Sequence, residues 1–459
     1  MLLFAQGSAT ASIAIDEARA ALRSALGRLG PRERVLAVPP DCTRLHSMAG
    51  PLTEAAWEHY GERLRDVLPA TGTHVPMTAG EIAAMFGRVP AGLFRVHDWR
   101  TNLRALGAVP GDLVCELSEK RLYYDIPVEV DRLIAGCGHD LILSIGQVVP
   151  HEVAGMAGHA KNILIGAGGA AAINRTHFLG AAYGMERIMG RADNPVRLVL
   201  RYAARHFAAH LPIVHVLTVI GRDERGGPVL RGLFIGDDEE CFERAAALAF
   251  EVNIELVDEP LRKVVVYLDP REYKSTWLGN KSIYRTRMAM ADGGELVVLA
   301  PGVRRFGEDP AIDQLIRKYG YSGTANILKL MGEEEEFPGG RYKEVLLDPE
   351  MAPGVKVRIV EQATDLQAQP GAAAHLIHGS TDGRFTVTYC PGHLTREGIE
   401  GVGFAFAPLG EMTARYDPGR LSDGWNTMPD GERIFYISNP ALGLWAHRAR
   451  FESGREAQE

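Results

Sequence analysis

Apolar side chains recur at helical spacing over residues 12–29, where Ile13, Ile15, Ala18, Ala21, Leu22 and Leu26 predict an amphipathic helix. Residues 34–38 form a short β-branched run ended by Pro39 and Pro40, which predicts a strand followed by a loop holding Asp41, Thr43 and Arg44. Thr78-Ala79-Gly80-Glu81 is a capping-box pattern, so a helix is expected to start there. A loop should carry His97 and Trp99. Residues 140–145 predict a buried strand that delivers the chain to Val149, Pro150 and His151. Residues 162–165 read as a short strand running into Gly166-Ala167-Gly168-Gly169, and then an Ala-rich helix reaches His177.

Farther on, residues 211–220 and 229–235 flank a Gly226-Gly227 turn and predict a hairpin or two neighbouring strands. Asp237 to Glu240 caps a helix running to about Phe250. Beyond Glu259-Pro260 a new rhythm begins, with strands over 263–268, 295–299, 355–361 and 384–389 and helices over 282–291 and 311–319. Strands alternating with helices mean an α/β class with two domains and largely parallel sheets. The expected domains are 1–259 and 260–459, the last segment being free to pack back on the first domain. The acidic run 333–336, followed by Phe-Pro-Gly-Gly, predicts a solvated loop.

A chain of 459 residues exceeds one compact core, which agrees with two domains. The net charge of -8 argues against a general nucleic-acid binder. The five cysteines are odd in number, lie far apart and form no CxxC, so neither a disulfide framework nor a zinc-thiolate site is expected. The first twelve residues lack the basic region of a signal peptide, and the apolar runs at 211–220 and 245–250 are far short of a membrane span. A cytoplasmic protein without membrane or nucleic-acid partners is expected.

Several motifs are missing. Gly166 to Gly169 is not GxGxxG, there is no GxxxxGK[ST] or GxSxG, and His151-Glu152 is not followed by the second histidine of a zinc protease. A glycine turn can still offer backbone N–H groups to a phosphate. What remains is a set of histidines (His74, His97, His151, His159, His177) in the first half, mostly in loops beyond predicted strands, where open α/β sheets bind ligands. Lys161 has mostly apolar flanks, which favours a buried or modified lysine.

Asp41-Cys42-Thr43-Arg44 resembles the DxTR loop of the lactate racemase family. Thr71 to Thr78 (TGTHVPMT) resembles its GTHxPMT segment, and Val96-His97-Asp98 its short His-Asp loop. His151, Lys161 and His177 repeat that family's order and its spacing of ten and then sixteen residues. The resemblance spans about residues 30 to 300. It implies a site in the cleft between the domains, in which the first domain binds a nickel-pincer nucleotide and the second completes the substrate site. The cofactor is a pyridinium mononucleotide with two sulfur arms, one joined to a lysine. Carried over, Lys161 holds this cofactor and His177 binds nickel. Asp41, Thr43 and His74 line the cofactor pocket, joined by the Gly166, Gly168 and Gly169 turn, although His74 has no definite role. His97 and His151 are the acid–base pair, Arg44 binds the substrate carboxylate, and Lys281 adds a charge from the second domain. Two departures stand out: Lys274 replaces the family's glutamine in Tyr273-Lys274-Ser275, and His159 replaces the glycine usual before the cofactor lysine.

The implied reaction is inversion of C2 of a 2-hydroxy acid by reversible hydride transfer. Removing a proton from that carbon would leave charge beside a carboxylate, whereas removing hydride leaves a neutral ketone. The hydroxyl proton must leave at the same time, and a histidine suits that exchange near neutral pH. Mirror-image substrates place their hydroxyls on opposite sides, hence two histidines. Cofactor-synthesis enzymes are the implied partners for maturation. Two alternatives remain: a NAD-type 2-hydroxy acid dehydrogenase, disfavoured by the missing fingerprint, and a non-catalytic hydroxy-acid or metal-binding protein of the same fold.

Overall fold

The structure is a computed structural model that describes residues 1–223, 226–334, 341–342 and 365–456. The chain divides into two compact units. Unit one comprises Met1–Val109, Ile126–Ile173 and Gly190–Asn253; unit two comprises Pro110–Asp125, Asn174–Met189 and Ile254–Glu459.

In unit one the strands are β1 (Leu2–Gly7), β2 (Val35–Val38), β3 (Leu64–Val67), β4 (Leu103–Val109), β5 (Ile126–Asp131), β6 (Leu141–Gln147), β7 (Pro150–His151), β8 (Gly155–Met156), β9 (Ile213–Arg222) and β10 (Pro228–Gly236). Six of them form a sheet in the order β1-β10-β9-β6-β2-β3. Its core, β9-β6-β2-β3, is parallel, and β10 and β1 add an antiparallel edge. Every residue of β2 and β6 is buried, as near-continuous apolar runs demand in a sheet covered on both faces. The helix Ile15–Arg28 buries Ala18, Leu22, Ala25 and Leu26, the stripe its periodicity predicts. The helix Ala79–Phe86 opens with the full capping box: Glu81 N–H donates to Thr78 Oγ1 at 3.3 Å and Thr78 N–H to the Glu81 carboxylate at 2.9 Å. β9 and β10 form the expected hairpin, and the helix Glu239–Asn253 follows the acidic run.

Three sequence expectations need correction. Residues 162–165 are not a strand. They belong to the helix Ala160–Leu164 and the turn after it. A four-residue apolar run suits either state, and here tertiary bonds decide: Asn162 Nδ2 donates to the Val38 carbonyl at 2.9 Å and to Ser144 Oγ at 3.1 Å. The helix predicted over 282–291 stops at Tyr284. Thr286 turns its hydroxyl back onto the Ser282 carbonyl at 2.7 Å, a local bond that competes with helix, and Met290 already begins the next strand. Within the acidic run, Glu333–Glu334 pairs with Arg341–Tyr342 rather than forming a loop; residues 335–336, and the strand expected over 355–361, lie outside the described residues.

Unit two holds β11 (Ile254–Val257), β12 (Leu261–Tyr267), β13 (Met290–Ala300), β14 (Glu333–Glu334), β15 (Arg341–Tyr342), β16 (Phe385–Pro391), β17 (Ala405–Phe406), β18 (Gly424–Thr427), β19 (Arg433–Ile437) and β20 (Leu444–His447). Its sheet runs β17-β16-β13-β12-β19-β18 and is parallel except for the β18–β19 pair. Val265, Val297, Leu299, Ile434 and Tyr436 are buried together in its core. Among the described residues, no helix is long and apolar enough to cross a membrane.

Candidate functional site

In unit one the chemistry-bearing loops leave the C-terminal ends of the parallel strands. β2 ends at Val38, and Asp41 caps the short 3-10 helix Cys42–Ser47. Asp41 Oδ1 accepts from Thr43 N–H at 3.1 Å and from Thr43 Oγ1–H at 2.5 Å, a local closure that Asp-x-Thr makes readily. Asp41 Oδ2 meets His74 Nδ1 at 2.6 Å. Burial alone would raise the Asp41 carboxyl pKa, but the charge and hydrogen bond of His74, with the Thr43 bonds, hold it below the ordinary carboxylate range. Arg44 leaves helical geometry (φ -122°, ψ 36°), and its Nη1 is buried with no hydrogen-bond partner among the described residues. An unsatisfied buried donor costs about 1–3 kcal/mol, more when charged, and an anionic ligand would relieve it.

Lys161 stands one residue into the helix Ala160–Leu164. Gly158 (φ 82°) and His159 (φ 55°) bend the chain sharply into that helix. Buried Arg197 donates to the Gly158 carbonyl from both Nη atoms at 3.3 Å and lies 3.6 Å over the Phe242 ring. With the Asn162 bonds, these contacts fix where Lys161 sits. Its side chain keeps partial solvent access, yet its ammonium is crowded by protein. Burial, and then the positive charge of Arg44, draw its pKa down to about 8, against the opposing pull of Glu152 and Asp41. Lys161, Arg44, Asp41 and Glu152 therefore share one electrostatic neighbourhood, and at pH 7 about a tenth of the amine is unprotonated, far more than for an ordinary lysine.

The histidines differ in their surroundings. The His97 side chain is wholly buried, with Nδ1 2.9 Å from Asp131 Oδ2 and Nε2 3.0 Å from the Gly168 carbonyl. His151 Nδ1 accepts from Val153 N–H at 3.1 Å and Ala154 N–H at 3.3 Å, so its proton belongs on Nε2. His159 packs its ring 3.9 Å from that of His215 and 5.5 Å from Phe242. Burial, and then His215 and Arg197, hold His159 far below the usual histidine range; burial, and then Arg197, hold His215 at about 3, so both rings are neutral.

The glycine turn is explained by packing. A Cβ on Gly166 would lie 2.5 Å from the Asn162 carbonyl oxygen, and one on Gly168 would lie 2.0 Å from that of Leu164. The N–H groups of Gly166 and Gly168 already donate to the carbonyls of Lys161 (3.0 Å) and Ile165 (3.2 Å), so neither is free to cradle a phosphate.

In unit two, half-buried His177 lies in the helix Ala170–Tyr183, which begins in unit one. Buried Lys281 starts the helix Lys281–Tyr284, its Nζ 5.7 Å from the centre of the Tyr273 ring. Ser275 caps the helix Thr276–Gly279 and is hydrogen-bonded to buried Glu308, and Tyr273 donates to Asn439 Oδ1 at 3.2 Å. Among the described residues, no three His, Cys, Asp or Glu side chains converge as a metal cage. Sequence reasoning missed Asp131, Glu152, Arg197 and His215. The Asp131 position at a strand end, before an apolar helix, could have marked it as a cap but not as a histidine partner.

Residues 21–187 match the family model described as lactate racemase N-terminal domain. Over those residues the chain is similar to the lactate racemase N-terminal domain. A crystal structure of a Thermotoga maritima protein is similar over 95% of this chain and 98% of that one, with a TM-score of 0.75 and 22% identity. The lactate racemase apoprotein from Thermoanaerobacterium thermosaccharolyticum is similar over 91% of this chain and 87% of that one, with a TM-score of 0.60 and 18% identity. At these identities the likeness establishes the fold. No curated protein matches the chain.

Proposed function

We propose that the protein is a racemase or epimerase of a 2-hydroxy acid that works with a nickel-pincer nucleotide tethered to Lys161. The observation that carries this reading is the Lys161 amine at a pKa of about 8, held beside Arg44 and the Asp41–His74 pair within the region of the family match. An unprotonated lysine is the form that a covalent tether needs. Nothing among the described residues would cage a metal unaided, so His177 as the protein ligand fits a metal whose other donors come from an organic group. The Arg44 Nη1 that has no hydrogen-bond partner among the described residues fits an anion, either the substrate carboxylate or a phosphate.

When bound, the nucleotide supplies an electrophilic carbon that takes up a hydride and returns it. The chain's own residues orient the substrate and handle its hydroxyl proton. Arg44 and Lys281 would hold the carboxylate, the first through a planar fork and the second as a point charge. His151 offers Nε2–H, because its Nδ1 is occupied by two backbone donors. His97 serves the opposite direction through Nε2, once the Gly168 carbonyl gives way to a substrate hydroxyl. Such acid–base help is worth roughly 10²–10⁴-fold in rate. The partners of this reading are a small 2-hydroxy acid and the enzymes that build the cofactor.

The test is co-expression with a cofactor-synthesis pathway, followed by the mass of the tryptic peptide containing Lys161 and a chiral-chromatography panel of single-enantiomer 2-hydroxy acids. A mass addition on Lys161 with inversion of at least one acid is expected, and Lys161→Ala should lose both together with nickel. Inversion by protein whose Lys161 is unmodified would overturn the proposal.

A further inference from the structure

Asp131 ends β5 and its side chain has no exposed surface. Its carboxylate and its amide are both committed. Oδ1 accepts from Leu133 N–H at 3.0 Å, Asn102 Nδ2 lies 3.3 and 3.4 Å from the two oxygens, and Oδ2 faces His97 Nδ1 at 2.9 Å. Its backbone N–H donates to the Ala167 carbonyl at 2.8 Å, and the preceding Val130 bridges Gly168. Asp131 therefore grips His97 with its side chain and, with its backbone, the turn that follows the Lys161 helix. A carboxylate this deep is tolerated when it is paired and hydrogen-bonded, and His97 is the ring that meets it.

We propose that Asp131 is the positioning residue of His97: it holds the proton on Nδ1 and aims Nε2 at the spot now filled by the Gly168 carbonyl, where a substrate hydroxyl exchanges its proton. This rests on the reading of His97 as an acid–base group. The step is balanced: the Nε2–H bond breaks as the O–H bond of the hydroxy acid forms, the imidazolium becomes a neutral ring with its proton on Nδ1, and Asp131 stays a carboxylate beside it; in the reverse direction the freed Nε2 lone pair takes the hydroxyl proton back. In the resting state both neighbours of the ring are acceptors, so the ring carries a proton on each nitrogen when it donates to both. Aspartate is the side chain that selects this orientation; an asparagine of the same size could instead donate to Nδ1 and move the ring proton to Nε2, leaving no lone pair for the substrate.

The experiment is the ring ¹⁵N spectrum of histidine-labelled protein without cofactor, with His97→Gln assigning the signal. A protonated Nδ1 is expected in the wild type and a bare Nδ1 in Asp131→Asn. A bare Nδ1 in the wild type overturns the proposal even if the variant fails to fold, and so does an unchanged tautomer in a folded variant. In cofactor-loaded enzyme, Asp131→Asn should lower kcat by roughly 10²–10⁴-fold with little change in KM. A rise in KM alone would also overturn it. If loaded wild type inverts no acid, the functional reading fails, and the spectrum still decides the orientation of His97.

Discussion

Lys161 is the residue on which the proposed chemistry turns, and its environment sets a measurable reactivity. Removing the positive charge of Arg44 relieves the ammonium of a repulsive neighbour, so Arg44→Gln should raise the pKa of Lys161 from about 8 toward the ordinary lysine value. Removing the negative charge of Glu152 takes away support for the ammonium, so Glu152→Gln should lower it. Competitive acetylation across pH, read by mass spectrometry of the Lys161 peptide, measures both shifts; equal profiles in all three proteins would contradict the shared neighbourhood. At this scale the sequence was legible only locally. The Asp41–Thr43 bond lies within one turn and follows from Asp-x-Thr. The Asp41–His74 pair spans 33 positions; the family resemblance put both residues at one pocket, but their pairing was not legible. Glu152 and Asp131 came from no pattern, because a carboxylate acquires its partner only when the sheet brings distant loops together.

Among the elements, the turn after the Lys161 helix carries the tightest packing near the site. Gly168→Ala would drive a methyl group into the Leu164 carbonyl, and neither atom belongs to a flexible side chain. We expect a loss of about 1–3 kcal/mol, as for other overpacked sites, together with displacement of the carbonyl that faces His97. Gly27, late in the helix Ile15–Arg28, is the control: a Cβ there meets nothing within 4 Å, and Gly27→Ala should be neutral or stabilise by about 0.5 kcal/mol. Urea unfolding of both variants checks the contrast. The same turn shows where pattern reading fails. The long amphipathic helix, the capping box and the buried strands β2 and β6 were legible because each repeats one period or carries its own cap. Residues 162–165 were misread because four apolar residues show no period, and their state is set by the Asn162 bonds to Val38 and Ser144.

For the whole molecule, the notable feature is that the chain enters unit two three times, and the short segment Asn174–Met189 carries His177 into it. Such a segment has little core of its own and depends on what fastens it. Arg287 supplies much of that fastening: its buried guanidinium reaches Glu186 at 3.1 Å, Asp382 at 2.9 Å and the Ser380 carbonyl at 3.2 Å, and Arg384 joins Glu186 at 3.2 Å. Removing one partner of a buried ionic cluster strands the others and costs about 3–5 kcal/mol when burial is complete; Glu186 and Asp382 keep some solvent, so a smaller loss is expected. Arg287→Ala should speed hydrogen exchange in peptides from Asn174–Met189, while the buried strands β2 and β6 of unit one exchange as before. If His177 binds nickel as proposed, loaded protein should also lose nickel faster, with the proposed Lys161 adduct intact. Uniformly faster exchange in both units would mean instead that Arg287 supports the fold at large, and unchanged exchange would mean that other contacts hold the segment in place.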